Sequence, residues 1–132
     1  MITVSYDDSN GVIRTVTYGQ TSRAEIEEYL LLLFGAMERS QEEWGRVLHL
    51  VDATRLDIQS DENLKSLAGA GVDMQQGHRN RTAVVMRSVR AITQLERMPS
   101  QMGTNIFGDF QSAKAWLFAA LEEPEELEVL AA

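Results

Sequence analysis

The sequence predicts an α/β fold: a mixed, mostly parallel five-stranded sheet with an N-terminal antiparallel hairpin and four helices. Three observations predict it. Two β-branched and aromatic runs flank an Asn10-Gly11 turn, the strongest short-range hairpin signal. Two later runs, "GRVLHLVDA" and "RTAVVMRS", are almost continuously apolar, as strands covered by helices are. Segments with helical periodicity separate the strands, and that alternation implies βαβ units with right-handed crossovers.

Each element has a local reason. Ile2 to Tyr6 and Val12 to Tyr18 are the hairpin strands, joined through Asp7-Asp8-Ser9-Asn10-Gly11. Ser22 and Glu25 have the spacing of a capping box, and Ile26, Leu30, Leu33 and Met37 recur at helical intervals. That helix is expected to run to about Glu43. The third strand reads as ending at Asp52, followed by eight mostly polar residues. Ser60 then has the position of an N-cap, with Asp61 and Glu62 where negative charge suits a helix dipole. The strand "RTAVVMRS" follows, then a helix from about Val89 to Gln101, interrupted or ended near Pro99. "TNIFGD" is a short fifth strand. "FQSAKAWLFAAL" is a last helix with Phe110, Ala113, Leu117 and Leu121 on one side, stopped by Pro124. Residues 1–123 read as one domain and 124–132 as an acidic tail.

Composition narrows the role. At 132 residues, 44% hydrophobic and 24% charged, the chain is long enough for a real core. The absence of cysteine removes disulfides, thiolate metal sites and cysteine nucleophiles. No secretory signal is read, and the longest apolar run, "YLLLLFGAM", is too short to span a bilayer, so a cytoplasmic location is expected. A net charge of −8 argues against nucleic acid. Residues 74–108 run against that trend, with five arginines and one glutamate.

The segments "YGQTSRAEIEEYLLLL", "RVLHLVDATRLD", "RTAVVMRS" and "TNIFGDFQSAKAWL", in that order and spacing, resemble the SpoIIAA-like (STAS-like) family, in particular its divergent, largely uncharacterised branch. The resemblance covers roughly residues 2 to 121. It implies the family's β-α superhelix and a non-enzymatic regulatory or protein-interaction role. Classical members are antagonists of anti-sigma factors, switched by phosphorylation where the second helix opens. Asp52 matches the family's acid at the third strand. Ser60 is the one hydroxyl of "QSDENL", one or two positions before the family's modified residue, with no glycine after it. Related domains bind small ligands or lipids.

Each candidate residue has a functional and a structural reading. Ser60 is a possible phosphorylation site, and its favoured reading is a helix cap worth about 1 kcal/mol. Asp52 and Thr54 lie beyond a central strand, where open α/β sheets place ligands, or else they satisfy a turn. Arg87 and Arg90 have the chemistry to hold a phosphate or carboxylate, or to pair with the protein's own acids. His49 lies in an apolar strand and reads as a satisfied core histidine. Met86 reads as core. No metal-ligand spacing, phosphate loop or nucleophile elbow is present, so no cofactor, metal or catalytic set is expected. Two roles stay open: a regulatory module with a protein partner, or a carrier of a small anionic ligand or lipid in a cavity beneath residues 86–104. A homodimer is possible through the open edge of the first strand.

Overall fold

The computed structural model describes residues 1–56, 80–96 and 104–119. β1 (Ile2–Tyr6), β2 (Val12–Gly19), β3 (Leu48–Leu56), β4 (Arg81–Val85) and β5 (Thr104–Phe107) form one sheet in the order β1-β2-β3-β4-β5. β1 and β2 are antiparallel and every other pair is parallel. Three helices lie among the described residues: α1 (Arg23–Trp44), α2 (Val89–Glu96) and α3 (Phe110–Ala119). The expected helix opening at Ser60 lies outside the described residues, as does the tail 124–132.

The sheet divides its side chains by strand alternation. On one face Ile13 packs with Tyr29 and Leu33 of α1, while Val84 and Ile106 pack with Ala53, Met86 and Ile92 of α2. On the other face Leu48, Leu50, Ala83 and Val85 pack with Ala113 and Leu117 of α3. The four expected positions of α1 face inward: Ile26 and Leu33 are fully buried, and Leu30 and Met37 partly so. The capping box is formed, with Glu25 N donating to Ser22 Oγ and the Glu25 carboxylate accepting from Ser22 N. Arg81 locks α3 in place: its guanidinium donates to Trp116 O at 2.8 Å and lies 5.0 Å from the indole centroid.

β3 does not end at Asp52. It continues to Leu56 by taking up a bulge. Val16 pairs with Asp52, but Tyr18, two residues on, pairs with Arg55, three residues on, so β3 carries one extra residue. Residues 53 to 56, the first half of the stretch that reads as a loop, are therefore strand. The bulge satisfies its own displaced donor, because Thr54 N and Thr54 Oγ1 both donate to Asp52 Oδ1, at 3.2 and 2.7 Å.

The C-terminal end of α1 folds back on the hairpin turn. Gly45 ends the helix with φ +68°. Trp44 lies directly over Gly11, whose φ is +72°; a Cβ on Gly11 would stand 2.3 Å from Trp44 Cδ1. Ser40 Oγ shares its proton between Gly11 O at 3.0 Å and Arg46 O at 2.7 Å, and Arg46 donates to Asn10 O at 2.9 Å.

Gly11→Ala should destabilise by at least about 2 kcal/mol, from a left-handed backbone plus the clash with the indole. In a Trp44→Ala background the same change should cost only the backbone part, about 1 kcal/mol. Urea denaturation of the four proteins in this cycle measures both. Equal costs in the two backgrounds would mean that the indole does not close the turn.

Candidate functional site

Of the sequence-predicted residues, Asp52, Thr54, Arg87 and Arg90 lie at the end of the sheet where the parallel strands finish. Asp52 and Thr54 are half-buried and bonded to each other across the β3 bulge. Val85, the last residue of β4, pairs with Asp52. Arg87 stands two residues beyond Val85, and Arg90 is the second residue of α2. Both arginines are exposed, as is Arg55 on β3, and none of the three has a hydrogen bond or ion pair with another described residue. Val89, between Arg87 and Arg90, is 77% exposed. Asp52 and Thr54 are thus brought together, whereas Arg87 and Arg90 bond neither to them nor to each other. Ser60 lies outside the described residues.

This arrangement presents guanidinium groups to solvent and keeps the carboxylate occupied with its own strand. Planar guanidinium groups beside an exposed valine suit the docking of a carboxylate or phosphate on a larger partner. Among the described residues no group of three or more histidine, aspartate or glutamate side chains is placed to hold a metal ion. No helix among them is long and apolar enough to cross a membrane. The acid that follows β5, Asp109, is the cap of α3. Its carboxylate accepts from Ser112 N at 2.8 Å and Ser112 Oγ at 3.0 Å, bonds that pull its pKa down.

A second polar group is sealed inside the sheet under α1. Thr15 Oγ1 is 2.6 Å from His49 Nε2 and 2.8 Å from Tyr29 OH, and all three residues are buried. His49 is thus a core histidine, but only half satisfied. Its Nδ1 has no hydrogen-bond partner among the described residues, and neither has Thr17 Oγ1, buried on the same face. Burial makes the charged imidazolium costly and lowers the His49 pKa to about 4. Burial likewise raises the Tyr29 hydroxyl to about 12, so it stays protonated at any ordinary pH. A sequence signal for this cluster existed: Thr15 and Thr17 interrupt the inward, apolar alternation of β2.

No protein-family model matches the chain, and no curated protein matches it. Solved structures do. An uncharacterised protein of the DUF3478 family with a SpoIIAA-like fold, from Shewanella loihica PV-4, superposes with a TM-score of 0.57 at 19% identity, over 89% of this chain and 92% of that one. An anti-sigma factor antagonist from Mycobacterium paratuberculosis superposes with a TM-score of 0.59 at 16% identity, over 89% of this chain and 94% of that one. The chain therefore has the SpoIIAA-like fold expected from its sequence.

The buried histidine sets a pH dependence of stability. Above about pH 6.5 the imidazole is neutral in both folded and unfolded chains. Between there and the folded value of about 4, the unfolded chain takes up a proton that the folded chain excludes. Stability should fall with pH through that window, by about 3 kcal/mol in all from this group. Urea midpoints between pH 7.5 and 4 should show a shallower slope for His49→Gln than for the wild type. The slope carries the result, so a uniform loss of stability in the variant does not imitate it; parallel slopes would mean that His49 protonates freely in the fold.

Proposed function

We propose that this protein is a non-enzymatic regulatory module of the STAS type, docking a protein partner through the edge formed by Arg55, Arg87, Val89 and Arg90. The observation that carries this reading is the set of exposed guanidinium groups, with no hydrogen bond or ion pair to another described residue, at one end of the sheet of a chain with net charge −8. Arg23 and Arg39, elsewhere on the surface, are in ion pairs with acids of the same chain. Arginines left without such partners, beside an exposed apolar residue, suit an acidic surface on another protein. The superposition with an anti-sigma factor antagonist over 89% of the chain supports the same role. A non-catalytic reading is supported by the engagement of the Asp52 carboxylate with Thr54 and by the sealing of His49 away from solvent. In this reading Ser60 is the position at which phosphorylation would modulate docking.

Cross-linking capture in the source organism tests the edge. The tagged wild type is compared with Arg87→Glu/Arg90→Glu, which changes only exposed side chains and should leave the thermal midpoint within about 4 °C, as surface substitutions generally do. A protein enriched with the wild type and lost with the double variant supports the edge. A protein captured equally by both places the docking surface elsewhere.

A further inference from the structure

Among the described residues, α3 covers part of the second face of the sheet. It packs on β3, β4 and β5 and meets the hairpin at Val12, which shares a core cluster with Ala113 and Leu117. Between the hairpin and α3 lies an open cleft of about 720 Å3. Buried Val12, Leu50 and Leu117 lie behind its floor, half-buried Phe118 is its apolar wall, the turn from Ser5 to Asn10 is its polar wall, and Arg14 and Lys114 add two cations. The register explains why they meet. Arg14 is two residues beyond Val12 and pairs with Leu50, so both strands turn these side chains to the α3 side. Lys114 is three and four residues before Leu117 and Phe118, on the same flank of α3. The cavity expected beneath residues 86–104 is a different place: this cleft opens at the hairpin turn.

The cleft's lining holds two acids as well as two cations, and neither acid is ion-paired with Arg14 or Lys114. Asp7 Oδ1 accepts from Ser9 N at 2.9 Å and Ser9 Oγ at 2.6 Å. Asp8 is ion-paired with Arg39 of α1. Arg14 and Lys114 have no hydrogen bond or ion pair with any described residue. A volume of this size is within the usual range for small-ligand sites, which combine an apolar lining with a few convergent polar groups. We propose that the cleft between the hairpin and α3 binds a small organic anion, its apolar body against Phe118 and the edges of Val12 and Leu50 and its carboxylate or phosphate between Arg14 and Lys114. A guanidinium and an ammonium offer charge-assisted hydrogen bonds to either headgroup. The site is independent of the partner edge, since it uses none of Arg55, Arg87 or Arg90.

Titration of the 15N-labelled full chain with decanoate, decyl phosphate and decylammonium tests the site by NMR. Either anion should shift the amides of Val12, Arg14, Leu50 and Leu117, and the tighter of the two identifies the headgroup as carboxylate or phosphate. Arg14→Gln/Lys114→Gln should weaken that binding by about tenfold or more, the scale of a lost charge-assisted hydrogen bond. Its thermal midpoint should stay unchanged, because neither side chain has a hydrogen bond or ion pair with another described residue. Binding of decylammonium as tight as that of the anions would overturn the proposal. So would unchanged affinity in the double variant, the absence of binding by both anions, or shifts centred on Arg87 and Arg90.

Discussion

The close approach of Trp44 to Gly11 is the constraint from which the rest of the arrangement follows. A tight hairpin and a long crossover helix are separate elements with no sequence neighbour in common, yet the indole of one rests on the backbone of the other. Only glycine combines φ +72° with the absence of a Cβ at that point. Around the contact, Ser40 and Arg46 take up the carbonyls of Gly11 and Asn10, so the turn's buried backbone is satisfied by the end of α1. Tyr6 and Arg39 extend the junction outward: Tyr6 OH donates to Glu43 at 2.8 Å, and the Arg39 guanidinium lies 4.3 Å from the Tyr6 ring centroid. The junction also holds one wall of the cleft, because Asp7 to Asn10 belong to the turn that it clamps.

Polar residues inside the sheet solve local problems. Asp52 is an acid in a central strand, yet its carboxylate accepts from the Thr54 backbone N–H within the bulge. Asn80 does the same at the other end of the sheet, where its Oδ1 accepts from Val47 N at 2.8 Å. The Thr15, Tyr29 and His49 cluster is different, because it leaves His49 Nδ1 without a partner among the described residues. A buried imidazole with one bare nitrogen is tolerable only while it is uncharged. Stability and acid sensitivity are therefore coupled through a single core position.

Two surfaces emerge from one topology. The parallel strands finish at an edge where Arg55, Arg87 and Arg90 face solvent, while the hairpin reaches past the cover of α3 and opens a cleft on the sheet's second face. The first suits a flat, acidic surface on another protein. The second suits a small amphipathic molecule. Both use cations that have no ion pair with another described residue, and the two share no residue.

What the sequence determined by itself was local. Asn10-Gly11 specified the hairpin, Ser22 and Glu25 the start of α1, and the apolar runs the central strands, because turn chemistry, capping and alternation act over a few residues. The order of those elements was enough to indicate the SpoIIAA-like fold. Tertiary structure decided what depends on residues distant in the chain. The end of β3 is not legible in the sequence, because a bulge is defined only against the partner strand, which pairs Tyr18 with Arg55. Arg81 read like the other arginines of its segment until Trp116, 35 residues away, took its guanidinium. Arg14 and Lys114 carried no signal at all, since no spacing rule links residues so far apart in sequence. Only the register of β2 with β3 and the placement of α3 beside them bring the two to one cleft.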